Sequence, residues 1–191
     1  MDLLREFIHI ALSEAARGPD DLPEDWRVRV KQRTGDDVVV QLLDGSSIMG
    51  EVGLHRADEH DGPCSNAWVV SLSHATEGWG PMLYDVAIEW ATMHGSGLTP
   101  DRDSVSDDAA AVWSYYMKRR SDVSSDQLDS MTNVLTSVEV DNCHQVATST
   151  HAGKFEREVE KDDLLSSPLA RVYSKQPTMM RHLVSLGRIE T

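Results

Sequence analysis

The stretch WVVSLSHATEGWGPMLYDVAIEWA, residues 68 to 91, restricts the fold more than any other part of the chain. Trp68 to Leu72 is an apolar, β-branched run that reads as a strand. HATEGWGP follows, with glycines at 78 and 80. Directly after it Leu83, Val86, Ala87, Trp90 and Ala91 recur at three- and four-residue spacing, which predicts a helix. Gly95 and Gly97 stop that helix, and GLTPDR reads as a short strand or extended segment. Ser104 or Ser106 then caps a second helix in which Ala109, Val112, Trp113, Tyr116 and Met117 share one face, with Lys118, Arg119 and Arg120 at its negative end. Strand, helix, strand, helix at this spacing needs a sheet covered by helices, so the chain belongs to the α/β (α+β) class.

The flanking segments extend this centre. Leu4, Phe7, Ile8, Ala11 and Leu12 predict an amphipathic helix over residues 2–16, stopped by Gly18 and Pro19. Trp26, Val28 and Val30 alternate with basic residues, and after RTGDD comes the run Val38 to Val40 with Leu42 and Leu43, which together predict an antiparallel hairpin. Asp44-Gly45 turns the chain into a third strand, SSIMGEVGL, and HRADEHDGPCSN is a loop. Beyond Ser121, SSDQLDSM reads as a short helix, VLTSVEV as a strand and THAGKFEREVEKDD as a charged connector. A last helix is expected from about Pro177 to Leu186, with Gly187 at its C-terminal cap. The 191 residues suffice for one domain with its own core, and residues 121–191 are either a C-terminal, partner-binding extension of it or its last strands plus a closing helix.

Charge narrows the partners. Eighteen Lys and Arg stand against 32 Asp and Glu, a formal net charge of −14, whereas phosphate-driven nucleic-acid binding rests on the opposite sign. The same excess repels an anionic membrane surface and favours a basic protein partner or an amine. No window approaches the roughly 20 apolar residues of a membrane span, and Asp2 and Glu6 interrupt what would be the apolar core of a signal peptide. The expectation is a soluble protein of a reducing compartment. Cys64 and Cys143 have no Cys-x-x-Cys or Cys/His pairing, so neither a disulfide framework nor a zinc module is expected. Asp101, Arg102 and Asp103 match no calcium loop and read as an ion-paired start of the second helix, so no metal is expected. Asn142-Cys143-His144 does not read as a nucleophilic dyad, because neighbours on a strand point to opposite faces.

A glycine turn between a strand and a helix offers backbone N–H groups and the positive end of a helix to an anion. With the preceding antiparallel strands, the GLTPDR segment and the helix SDDAAAVWSYYMK, the stretch around this turn resembles the GNAT-type N-acetyltransferase superfamily over about residues 46 to 118. The segment GPMLYDVAIEWATMHGSGLTPDRDSVS is also similar to GNAT-like proteins of tailed phages. The resemblance implies a mixed, mostly antiparallel sheet flanked by helices, with acetyl-CoA as substrate. On that reading Gly78, Trp79 and Gly80 hold the pyrophosphate, while Leu72 and Ser73 pair with the pantetheine arm. Acetyl transfer to a primary amine further needs a base, for which Glu51, His55 and His74 are candidates, and an acid for the leaving thiolate.

The loop departs from the family pattern at Ala75, where the family has Gln or Arg, at Glu77, which brings a carboxylate, and at Pro81, which lacks an N–H. The usual tyrosine acid falls on Trp113, and Tyr116, on the same helix face, takes its place as candidate. Trp79 inside the turn either covers a ligand or packs on a partner. The departures leave a second class open: a GNAT-like fold without catalysis, serving as a binding or structural protein, with virion assembly or homo-oligomerisation as its role. The expected location is accordingly the host cytoplasm or the virion. A third class, an inhibitor whose carboxylates mimic nucleic acid, is disfavoured because the carboxylates are spread along the chain.

Overall fold

The computed structural model describes residues 16–33, 35–57, 66–101, 105, 107–127 and 166–191. The helix expected over residues 2–16, the strand over 134–140, the Asn142-Cys143-His144 triplet and the connector over 150–163 lie outside the described residues. Among the described residues eight strands, β1 (Trp26–Gln32), β2 (Val38–Asp44), β3 (Ser47–Arg56), β4 (Trp68–Ala75), β5 (Leu98–Thr99), β6 (Val123–Gln127), β7 (Arg171–Lys175) and β8 (Ile189–Glu190), form one mixed, mostly antiparallel sheet in the order β6-β7-β5-β4-β3-β2-β1-β8. Among the described residues three α-helices accompany it: α1 (Gly80–Met93), α2 (Asp107–Arg119) and α3 (Thr178–Ser185). This is the α+β architecture, a mixed and mostly antiparallel sheet with helices, that was expected. No described helix is long and apolar enough to cross a membrane.

The chain divides into two compact units, the first holding residues up to Leu54, Ser71–Trp90 and Pro177–Thr191. Within it β1, β2 and β3 form the expected antiparallel meander, in which Val28 stands opposite Leu42, and Val30 and Val52 stand opposite Val40. These side chains are buried, which is what alternation on β1 predicts for one face of a strand. On the other face Arg29, Gln41 and Glu51 are cross-strand neighbours and form a polar ladder. Arg29 donates to Gln41 Oε1 at 2.8 Å, and Gln41 Nε2 donates to Glu51 Oε2 at 2.9 Å. Gly50 on β3 has no side chain for a packing reason: a Cβ there would lie 2.9 Å from both the Ala75 Cα and Leu83 Cδ1. The end of β4 and the start of α1 therefore press directly on β3 backbone.

The C-terminal residues close this unit. β8 pairs in parallel with β1, Val28 opposite Ile189. The Arg188 guanidinium gathers the carbonyls of Pro23, Glu24 and Trp26. Helix α3 ends ahead of Gly187, as its sequence predicts, but its first turn has no cap of its own: Pro177 at the N-cap position makes no side-chain bond. Glu89 of α1 supplies the cap instead. Its Oε1 accepts from the Met179 N–H at 2.8 Å and the Thr178 hydroxyl at 3.0 Å, and its Oε2 accepts from the Met180 N–H at 2.7 Å. Glu89 is fully buried, and the helix N-terminus offers its carboxyl oxygens donors there. The expected stripe Leu83, Val86, Ala87 is buried, but so is every residue from Met82 to Glu89, so α1 is enclosed on all sides rather than on one.

The second unit holds His55–Val70 and Ala91–Gln176. The first residues of β4 pair in parallel with β5, Trp68 opposite Leu98 and Val69 opposite Thr99, and β7 lies between β5 and β6, antiparallel to both. SSDQLDSM was expected as a short helix, and its first four residues are instead strand β6, paired residue by residue with β7. The alternation that makes β6 a strand is carried by Ser, Asp and Gln, so no apolar period marks it in the sequence. Residues 121–191 contribute β6, β7 and β8 to the sheet. The core here is aromatic: the rings of Trp113 and Tyr173 are 4.8 Å apart, and the Tyr173 hydroxyl donates to the Pro168 carbonyl at 2.6 Å.

Asp122, just ahead of β6, is an ionic anchor. The Arg120 guanidinium, donating to both its oxygens at 2.8 Å, holds its carboxyl below the ordinary range despite partial burial, and Lys175 at 3.8 Å acts in the same direction. A lowered folded-state pKa contributes stability above the unfolded-state value, lost as pH falls through the folded value. Asp122 is half exposed, so the contribution is small, at most about 1 kcal/mol. Asp122→Asn should therefore lower the thermal midpoint slightly at pH 7. The gap to wild type should close below about pH 4, near the unfolded Asp value. A gap that widens on acidification would exclude this account.

Candidate functional site

The candidate site is built on β4 and the turn that follows it, in the first unit. The ladder between β4 and β5 consists of two residue pairs and ends at Val69 opposite Thr99, because β5 is two residues long. From Ser71 to Ala75 five consecutive side chains of β4 are exposed. A strand inside a sheet normally hides at least one face, so exposure of successive residues marks a stretch with accessible surface on both. Leu72, Ser73 and His74, all expected in the site, lie on this stretch. Leu72 is one of the few large apolar side chains left exposed among the described residues. Ser73 Oγ accepts a 3.0 Å hydrogen bond from the Tyr84 hydroxyl, which reaches it from the first turns of α1.

The turn is pinned at its start and closed on itself. The Thr76 N–H and hydroxyl both donate to the Met49 carbonyl, at 2.8 and 2.7 Å, fixing the end of β4 to β3. The Trp79 N–H donates to the Thr76 carbonyl at 3.1 Å, a β-turn over residues 76–79 with Gly78 at φ +85°, the conformation that favours glycine at the third position. Gly80 then opens α1, and the N–H groups of Gly80 and Met82 belong to the first turn, which has no intrahelical acceptor for them; Pro81 has none to offer.

Trp79 departs from expectation. Its N–H is engaged by Thr76, and its indole is fully buried, tilted against Trp26 with ring centroids 5.5 Å apart. It neither covers a ligand site nor presents an aromatic surface to a partner: it anchors the turn in the core of its own unit. The Arg17 guanidinium lies 5.4 Å from the centroid of the Trp79 ring, and the Arg17 N–H donates to the Gly78 carbonyl at 2.9 Å. A cation therefore stands beside the turn, on which Glu77 is an exposed carboxylate.

The remaining candidates lie elsewhere. Glu51 is not a free base: its Oε2 takes the Gln41 amide, and Arg33 lies 3.7 Å away. His55 is half-buried at the end of β3, in the second unit. Tyr116, the candidate acid, is 1% exposed. Its ring packs 6.3 Å from Trp113 and edge-on to Tyr115, with the Arg120 guanidinium 5.2 Å from its centroid, so it is a core aromatic of the second unit. Two residues of the site escaped the sequence reading. Arg17 read as the residue after a helix, and Tyr84 sits between the apolar positions of α1 with nothing in the spacing to distinguish it.

Compared with protein-family models, curated proteins and solved structures, the chain matches none.

Proposed function

We propose that the exposed half of β4 and the glycine turn bind acetyl-CoA, and that the protein is a GNAT-type N-acetyltransferase acting on a primary amine. The observation that carries this reading is the exposed run Ser71 to Ala75 in the interior of the sheet, beyond the point where the β4–β5 ladder ends. An extended amide-bearing chain such as pantetheine fits there by the logic of strand addition, in which main-chain hydrogen bonds supply affinity. The first-turn N–H groups of α1 and the neighbouring Arg17 support a pyrophosphate at the other end of the stretch.

In the transfer the neutral amine attacks the thioester carbonyl, the C–N bond forms, the C–S bond breaks, and the amine proton is taken up while the thiolate gains one. With Glu51 held by Gln41 and Arg33, His74 is the exposed titratable group of the stretch and the base this reading favours. The net charge of −14 favours a cationic acceptor.

A second reading has its own support. The burial of Tyr116 and the engagement of Glu51 and of the Trp79 N–H leave fewer groups for chemistry than for binding, which favours a domain that binds without transferring, as a binding or structural component of a larger assembly. Titration calorimetry with acetyl-CoA, with CoA and ATP as controls, tests the shared part. Gly78→Val forces a β-branched residue to positive φ and should weaken acetyl-CoA at least tenfold. Equal affinity in the two proteins would remove the turn from the site. Acetylation of a panel of polyamines and basic peptides then separates the two readings.

A further inference from the structure

Resting on the acetyl-CoA reading, we infer that Ser73 and Tyr84 form a hydroxyl relay in which Ser73 donates to a carbonyl oxygen of the bound ligand and Tyr84 positions Ser73 to do so.

Tyr84 is buried on α1, and burial pushes its phenol above the ordinary value, so it stays protonated and acts as a donor. That donor reaches Ser73 Oγ at 3.0 Å. A serine oxygen that accepts in this way has one proton of its own left to give. Ser73 lies in the middle of the exposed stretch, so its remaining proton has accessible surface to be directed to, while the tyrosine behind it is fixed by the core. A hydroxyl that accepts one bond becomes a better donor in the next, which makes the pair a stronger donor than an isolated exposed serine.

Extended chains of the coenzyme A type carry carbonyl oxygens at two places, the pantetheine amides and the thioester. Both are acceptors without a proton, and a hydroxyl donor recognises either. Ser73 touches the ligand on this account, whereas Tyr84 acts through Ser73 and is a positioning residue.

Calorimetry with acetyl-CoA and with CoA on wild type, Ser73→Ala, Tyr84→Phe, the double variant and Ser73→Thr tests the relay. One lost hydrogen bond corresponds to about a five- to tenfold loss of affinity. Ser73→Ala and Tyr84→Phe should each show it, the double variant should be no weaker than Ser73→Ala alone, and Ser73→Thr, which keeps the hydroxyl, should bind nearly as wild type does. A loss confined to acetyl-CoA assigns the thioester carbonyl; an equal loss for CoA assigns a pantetheine amide. Ser73 is exposed, so its variants remain folded even if Tyr84→Phe does not. Unchanged affinity in Ser73→Ala, alongside Gly78-dependent binding by wild type, overturns the relay and leaves the acetyl-CoA reading standing. Strictly additive losses in the double variant overturn it as well. No binding of acetyl-CoA by wild type removes both.

Discussion

Glu89→Ala should lower the stability of the protein by about 3 to 5 kcal/mol, from buried hydrogen-bond donors that lose their acceptor together with the cavity left by the side chain. The substitution removes the acceptor that the amide N–H groups of Met179 and Met180 and the Thr178 hydroxyl share at α3's first turn, and leaves a cavity in a fully buried place. Glu89→Gln should cost less, about 1 to 3 kcal/mol: it keeps one acceptor oxygen but turns an NH2 group toward amide donors and gives up the charge that the helix dipole favours. Urea unfolding measures both, with the midpoint falling and the slope unchanged. The loss should spread beyond α3, because Arg188 follows it and gathers the carbonyls of Pro23 and of Trp26, the first residue of β1. A loss under 1 kcal/mol in Glu89→Ala would mean that α3 docks by its apolar side chains Met180 and Leu183 alone.

Trp79→Ala should be comparably severe, at about 3 to 5 kcal/mol, as for other large buried aromatics. The indole is fully buried and packs on Trp26, so its removal opens a cavity beneath the glycine turn. Trp79→Phe separates packing from hydrogen bonding. The indole Nε1 is buried with no hydrogen-bond partner among the described residues, so replacing it removes an unsatisfied donor along with some volume. The Phe variant should consequently lose less than half of what the Ala variant loses, by thermal or urea unfolding. Should Trp79 serve a ligand rather than the core, Trp79→Ala would leave unfolding within 1 kcal/mol of wild type and change only acetyl-CoA binding.

These two residues show where local reading stops. Trp79 and Glu89 both lie in the segment that is most legible as sequence, and the elements they belong to form where expected. Their roles do not follow from the elements. Glu89 occupies a position on a helix whose apolar stripe implies a solvent-facing side, and it is buried because a helix N-terminus some 90 residues later needs a cap that Pro177 does not provide. Trp79 sits in a turn, where a large aromatic suggests a ligand or a partner, and its ring goes inward because Trp26 is there to receive it. Tyr116 shares a face with Trp113 in the sequence, and that face turns toward Tyr173, a residue whose place could not be known until β7 was inserted between β5 and β6.

By itself the sequence determined the local elements with a strong period or a strong breaker: the β1–β2–β3 meander, the β4 strand, the glycine turn at Gly78, helices α1 and α2, and the stop of α3 before Gly187. Periodicity and glycine conformation act over a few residues, and neighbouring side chains suffice to encode them. Tertiary structure decided the rest. It made a strand of the polar SSDQ segment by pairing it with β7, ended the β4–β5 ladder after two pairs, and brought Arg17 to the glycine turn and the Tyr84 hydroxyl to Ser73. Each of those outcomes depends on a partner far along the chain or on another element, and a residue's own neighbourhood in sequence carries no record of which partner the folded chain will set against it.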